Sequence, residues 1–348
     1  MRITQVGKPF YSYPKSNVSA NKFLKSAPNS KGADFFSFKG GAALDKDKVS
    51  IIASAKPTEL ELGIEKDTGI KPVETQVKKF QNGEIYVNIA GNVRGKDVYL
   101  MPANGENVND NLMETYLKAD AAKRAGAHKV IAVMPNFDYA RQEKRTEQGE
   151  PVAARLNMDL LKTSGVDEII TSDLHTPAIE GFAGNDMPIT HLESYSVMRD
   201  YIAEKNIPDL VVVSPDAGGM KRAEKFAKSL GCDKAMIHKC RQAHNEAAAE
   251  YLAGDVKDKN CIIYDDIIDT AGTISTAAEM LKEHGAKDIY ICASHGLFNG
   301  RALQRLNNAP VKEVIVTNSV PDKTHGNSKI HQVDISSQIA DAMRQISA

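Results

Sequence analysis

An α/β architecture of two similar domains with doubly wound parallel sheets, preceded by a disordered N-terminal tail, is the fold class this sequence predicts, and three observations predict it. From Val49 onward, short apolar runs alternate with amphipathic stretches of about 12 to 15 residues, the pattern of βαβ units. A weak internal repeat relates the run from Lys96 to Leu100, a helix and Ala125 to Val130 to the run from Lys259 to Ile263, a helix and His284 to Ile289. The length of 348 residues fits two domains at roughly 150 residues each, and 42% hydrophobic with 26% charged residues is ordinary for a globular chain.

Each element has its own signal. The runs read as strands are Ser50 to Ser54, Glu84 to Ile89, Asp97 to Met101, Lys129 to Pro135, Glu168 to Ser172, Leu210 to Ser214, Ala235 to His238, Cys261 to Tyr264, Ile289 to Ala293 and Glu313 to Val316. Between them, Asn109 to Ala125 places Leu112, Tyr116, Ala119 and Lys123 at helical spacing, and Gly126 supplies the stop. A second helix is expected over Ile274 to Glu283. The longest apolar runs, such as Val130 to Met134, are far short of the roughly 18 residues of a membrane span. The domain boundaries that follow are a flexible tail over 1–47, a first α/β domain over 48–192 and a second over 193–348.

The formal charge of −1 hides an asymmetry. Residues 1–47 hold eight bases against three acids and lack an apolar signal core, whereas the remaining chain holds 36 bases against 42 acids. A mildly acidic body argues against a nucleic-acid partner held by general electrostatics. The four cysteines, Cys232, Cys240, Cys261 and Cys292, form no C-x-x-C pair, so reduced thiols in a cytoplasmic protein are expected.

The strongest chemical signal lies at Asp265-Asp266-Ile267-Ile268-Asp269-Thr270-Ala271-Gly272-Thr273. A strand ends in carboxylates, and a small turn then opens a helix. Ligands of open α/β sheets bind beyond the carboxyl ends of strands, and the amides of Thr270, Ala271, Gly272 and Thr273 at a helix N-terminus suit a phosphate. Carboxylates beside a phosphate repel it, so Asp265 and Asp269 are read as acceptors for sugar hydroxyls, directly or through a divalent cation. One ligand carrying a ribose and a phosphate satisfies both halves. Arg141 and Gln142, beyond the strand ending at Pro135, offer themselves to an anion or a purine. Lys239 and Arg241 read as a mobile basic loop able to close over phosphates. His175 and Asp216, at two further strand ends, are placed to ligate a metal, whereas His128, His191, His284, His295 and His331 have no such context.

Taken together with Phe80-Gln81-Asn82-Gly83-Glu84, Asn109 to Glu114, Asp173-Leu174-His175 and Ser214 to Gly219, these segments make the chain, from about Val49 to its end, similar to the ribose-phosphate diphosphokinases, or phosphoribosyl pyrophosphate synthetases. The resemblance implies two phosphoribosyltransferase-like domains, the first on the ATP side and the second holding ribose 5-phosphate and the catalytic loop. It implies that Phe80, Asn82, Gly83, Glu84, Arg141 and Gln142 bind ATP, often across a subunit boundary in a homohexamer. His175 and Asp216 would hold Mg²⁺, Lys239 and Arg241 would be catalytic, and Arg241, Asp265 and Asp269 to Thr273 would bind ribose 5-phosphate. The implied reaction moves the diphosphate of ATP to the 1-hydroxyl of ribose 5-phosphate, giving 5-phospho-α-D-ribose 1-diphosphate and AMP for nucleotide biosynthesis. The chain departs from the family where Lys239-Cys240-Arg241 continues as Gln242-Ala243-His244-Asn245. Two alternatives remain at this level, a phosphoribosyltransferase and a non-catalytic regulatory subunit of the same family.

Overall fold

All ten apolar runs expected to be strands form strands, nine of them in two large, mainly parallel sheets that share a five-strand order and one, β3, in a separate hairpin. The computed structural model describes residues 43–54, 56–101, 107–240 and 249–348. Residues 1–42 of the expected tail, and Arg241, lie outside the described residues. The chain runs β1 (Val49–Ile52), α1 (Glu59–Thr68), β2 (Thr75–Lys79), β3 (Ile85–Ile89), β4 (Asp97–Leu100), α2 (Val108–Arg124), β5 (Lys129–Met134), α3 (Ala153–Thr163), β6 (Glu168–Ser172) and β7 (Ile189–Leu192). It continues through α4 (Tyr195–Glu204), β8 (Leu210–Ser214), α5 (Met220–Leu230), β9 (Asp233–Cys240), β10 (Ala249–Ala253), β11 (Asn260–Ile268) and α6 (Gly272–Glu283). The last elements are β12 (Ile289–Gly296), α7 (Ala302–Asn308), β13 (Glu313–Thr317), β14 (Ile330–Val333) and α8 (Ser336–Ile346).

Strands β1, β4, β5, β6 and β7 form one sheet in that order, and β8, β11, β12, β13 and β14 repeat the order in the other. Every neighbouring pair within these two sets is parallel. The two copies differ in their inserted strand pair. In the first, β2 and β3 stand apart as an antiparallel hairpin; in the second, β9 and β10 extend the sheet beyond β8. Only the second sheet therefore has a point where the strand order reverses, between β8 and β11, and such a crevice is where open α/β sheets receive ligands.

Both faces of each sheet are buried, which explains the continuous apolar runs. Along β8, Val211 and Val213 face the layer of α6 and α7, while Val212 faces Phe226 of α5. In the first sheet, Val130 and Ala132 face the side of α2 and α3, and Ile131 and Val133 face that of α1 and α8. Helix α8 thus closes the first sheet from the far end of the chain, and the buried Tyr99 hydroxyl donates to the Met343 carbonyl at 2.9 Å. Residues from Ala43 onward belong to one compact unit.

Strand boundaries differ from expectation mainly at the site. Strand β11 does not stop at Tyr264 but runs on through Asp265 and Asp266, because Asp265, Ile267 and Ile268 continue the ladder with Ala293, His295 and Gly296 of β12. Pairing with β8 ends at Ile263, opposite Val213. The strand therefore overhangs β8 and presents its acids at the open side of that step. Four strands carry no clear period in the sequence: β2, β7, β10 and β14 are only four or five residues long, too short to show one.

Candidate active site

On the overhang of β11, two adjacent carboxylates are held by one guanidinium. Arg222, in the first turns of α5, donates from Nη1 to Asp265 Oδ1 at 2.9 Å and to Asp266 Oδ1 at 2.7 Å, and from Nη2 to the His175 carbonyl at 3.3 Å. Asp266 is almost fully buried, and its Oδ2 lies 2.7 Å from His175 Nδ1. Burial by itself raises the pKa of such a carboxyl, but the His175 hydrogen bond and Arg222 outweigh it and hold Asp266 below the usual carboxylate range. Asp265 moves the other way, raised first by burial and then by the neighbouring Asp266. The same Asp266 bond raises His175 against the opposing effect of burial. Arg222 stays fully charged, since Asp266 and Asp265 overcome its own burial.

This differs from a site in which all three acids face the ligand. Asp266 is turned inward as the partner that orients His175, leaving the ring's Nε2 on the side away from that bond. Arg222 is the residue the motif reading missed. It lies six positions after Asp216 with no spacing signal of its own, and only the adjacency of β8 and β11 brings it to the acids.

Asp269 and the loop after it form the second part. Asp269 accepts from Asn299 Nδ2 at 2.8 Å and pairs with Arg141 Nη1 at 2.8 Å. These bonds lower its pKa despite the burial that opposes them. Arg141 comes from the first sheet's side, just past β5, so the pair bridges the two halves of the chain. The turn into α6 is made by Ala271 at φ +58°, a left-handed conformation, and α6 has no side-chain cap. It shares this with α3, α4, α5, α7 and α8, whereas Thr58 and Glu61 cap α1 reciprocally and Asn107 caps α2. The first amides of α6 thus open onto the surface at Thr270 and Thr273, both exposed, as an anion site requires. Arg305 Nη1 braces the turn from behind by donating to the Thr270 carbonyl at 2.7 Å.

At the end of β8, Asp216 is exposed and its Oδ1 accepts from the Gly219 amide at 2.9 Å. A Cβ on Gly219 would lie 2.9 Å from Ser214 Oγ, so a side chain there would force that buried hydroxyl to shift. His175 follows β6 of the first sheet and Asp216 follows β8 of the second, so they end strands of different sheets rather than neighbouring ones, and among the described residues no group of three or more His, Cys, Asp or Glu is placed to hold a metal.

Phe80, Asn82, Gly83 and Glu84 form the tip of the β2–β3 hairpin. Gly83 turns at φ +92°, its amide donating to the Phe80 carbonyl at 2.9 Å, while the Phe80 ring is 56% exposed and edge-on to Tyr86. The hairpin is tied to α2 by Lys79 and Asp110 at 2.6 Å. Lys239 lies in β9, three residues past Met236, the last partner of β8. That carries its backbone roughly 10 Å beyond this pairing, on the carboxyl side of the sheet. Its register partner is Glu250 on β10, and Arg241 lies outside the described residues.

The loop that delivers Arg141 and Gln142 is pinned by polar side chains. Tyr139, at φ +65°, donates to Asn109 Oδ1 at 2.5 Å, and Asn157 Nδ2 donates to the Asp138 carbonyl at 2.9 Å. Burial pushes the Asp138 carboxyl up to about 6. A folded state that holds this proton more tightly than the unfolded chain loses stability as pH rises from about 4 through about 6. Asp138→Asn is therefore expected to be more stable than the parent at about pH 8, by up to about 3 kcal/mol, with the advantage fading toward pH 4. Urea unfolding at several pH values checks it, and an equal loss of stability at every pH would refute the assignment.

Comparison with known proteins adds to this geometry. Residues 49–165 match the N-terminal domain of ribose phosphate pyrophosphokinase, and residues 246–348 match the phosphoribosyl synthetase-associated domain. The chain is 42% identical over 283 residues to the ribose-phosphate pyrophosphokinase of Clostridium acetobutylicum, covering 80% of this chain and 88% of the relative. It is 40% identical over 303 residues to ribose-phosphate pyrophosphokinase A of Dictyostelium discoideum, covering 86% and 95%. Among solved structures, the phosphoribosylpyrophosphate synthetase of Mycobacterium smegmatis superposes with a TM-score of 0.80 at 38% identity, over 86% of this chain and 98% of that one.

Proposed function

The chain belongs to the ribose-phosphate pyrophosphokinase family, and from that premise we propose how its cleft works. The enzyme transfers the diphosphate of ATP to the 1-hydroxyl of ribose 5-phosphate, giving 5-phospho-α-D-ribose 1-diphosphate and AMP. The observation that carries the site assignment is the junction at β11, where Asp265 and Asp269 stand beside an uncapped helix N-terminus and Arg141 arrives from the other half of the chain. A sugar phosphate fits it with the 5-phosphate on the amides from Thr270 to Thr273 and the ribose hydroxyls on Asp265 and Asp269.

Attack on the β-phosphorus needs alignment and neutralised oxygen charge more than it needs a protein nucleophile. Lys239, whose backbone lies in β9, and Arg241 are the cations of this reading, and Arg141 with Gln142 receives ATP. His175, oriented by Asp266, and Asp216, whose turn is fixed by Gly219, suit Mg²⁺ as donors. With these two as protein donors, an ion arriving on the triphosphate would complete its shell with phosphate oxygens and water. When bound, that ion supplies charge neutralisation between the phosphates.

The hairpin tip with Phe80, Asn82, Gly83 and Glu84 belongs to the ATP site in this reading through a second copy of the chain. The exposed Phe80, Tyr86, Val108 and Met113 on the hairpin and the start of α2 support self-association, which the resemblance sets at a homohexamer. No helix among the described residues is long and apolar enough to cross a membrane, and the free Cys232, Cys261 and Cys292 support a cytoplasmic location.

Purified protein incubated with MgATP and ribose 5-phosphate is expected to release AMP only when both are present. Absence of AMP across phosphate and metal concentrations would favour a regulatory, non-catalytic subunit instead. Sedimentation of the same preparation tests the shared site, and a monomer turning over at full rate would refute it.

A further inference from the structure

We infer that His191 is a positioning residue for His175, an assignment that rests on the proposed placing of His175 at the phosphates. The ladder between β6 and β7 ends at Ser172 opposite Leu192. One residue later the Asp173 amide still reaches the Leu192 carbonyl, at 3.0 Å. Asp173 then adopts φ +43°, a left-handed conformation that aspartate reaches more readily than most non-glycine residues. Its side chain holds the turn, Oδ2 accepting from the Ser194 amide at 3.1 Å and from the Ser194 hydroxyl.

That turn carries the Leu174 amide past the end of the ladder, into a place where Leu174 is only 5% exposed. A buried amide there requires an acceptor, and His191 provides it: its Nε2 lies 3.0 Å from the Leu174 nitrogen. The other ring nitrogen, Nδ1, lies 2.6 Å from Glu180 Oε1, on the 3₁₀ turn Pro177–Phe182. An Nε2 that accepts bears no proton, so Nδ1 carries it and donates to Glu180. The three consecutive residues are thus each held from a different element: Asp173 by Ser194 before α4, Leu174 by His191 on β7, and the His175 carbonyl by Arg222 on α5. With its backbone fixed, the His175 ring meets Asp266 in one orientation. A core histidine chosen only for packing would need neither a defined tautomer nor a partner beside the site.

The test compares His191→Leu, His191→Gln and Glu180→Ala with the parent, measuring kcat, KM for MgATP and for ribose 5-phosphate, and thermal unfolding. His191→Leu removes the acceptor and is expected to lower kcat by about 10- to 100-fold, the range seen when a group orienting a ligand residue is lost. KM for ribose 5-phosphate should change less than about twofold, since the turn from Asp269 to Thr273 is not touched. His191→Gln keeps an oxygen within reach of the Leu174 amide and should recover most of kcat. Glu180→Ala, on an exposed side chain, releases the tautomer without emptying the core and should lower kcat severalfold. That variant decides the matter if His191→Leu does not fold. Turnover within about twofold of the parent in both His191→Leu and Glu180→Ala overturns the assignment. So does a glutamine variant as slow as the leucine variant at equal thermal stability. A parent that makes no AMP overturns the proposed function itself, a result distinct from any difference among variants.

Discussion

Replacing Arg222 by methionine is expected to destabilise the protein by about 3–5 kcal/mol and to lower turnover at least about 100-fold. The size follows from the arrangement of charge. Arg222 is the cation between Asp265 and Asp266, is itself largely buried, and reaches both carboxylates from one nitrogen. Removing it leaves two adjacent acids facing each other in a low-dielectric setting, a far larger penalty than loss of a surface pair. His175 also loses a backbone tether, so orientation at the phosphates suffers along with stability. The deficit should depend on pH in one direction. Asp265 is already raised to about 7 by burial and Asp266, and without Arg222 it titrates higher still, so the deficit grows as pH rises above about 7 and is larger at about pH 8 than toward pH 5, where one proton already sits on the pair. Urea unfolding at both pH values, with AMP release alongside, measures this. Arg222→Lys, keeping the charge but not the planar fork, should recover stability in part and turnover less. A loss below about 1 kcal/mol at pH 8 would show that the acids do not depend on this residue.

Lys239→Ala is the other change with a large expected effect, a fall in turnover of about 100-fold or more with the fold intact. Position 239 stands on a strand that overruns its neighbour at the carboxyl edge of the sheet, beside the crevice between β8 and β11. In the proposed reading a lysine there adds compact positive charge for the phosphate oxygens. Turnover and thermal unfolding measured together separate the two possibilities. A loss under about threefold in turnover would refute a role in charge stabilisation.

How much of this was legible in the chain differs by element. The strands from β4 through β6, and β8, β12 and β13, were readable because strands buried on both faces must be apolar throughout. Asp269 to Thr273 was readable because a loop between a buried strand and a helix is exposed at a sheet's carboxyl edge whatever the surroundings. β7 was not: Ile189-Thr190-His191-Leu192 is too short and too polar to show a period. His191 accordingly looked like an isolated histidine, although β7 sets it against the Leu174 amide. The end of β11 was misplaced for the opposite reason, since acids in its middle read as loop while pairing with β12 holds them in the strand.

The sequence by itself determined the repeated α/β plan, the exposed turn from Asp269 to Thr273 and the inventory of charged groups, because local pattern and motif order do not depend on distant contacts. Only the tertiary structure decided which charges meet. Asp266 joins His175 across 91 positions, Arg222 reaches Asp265 across 43, and Arg141 meets Asp269 from the other half of the chain. Such pairings depend on which strands lie side by side. The physical reason is that a carboxylate's role, whether it faces a ligand or supports a neighbour, follows from burial and from the nearest cation, and both are properties of packing.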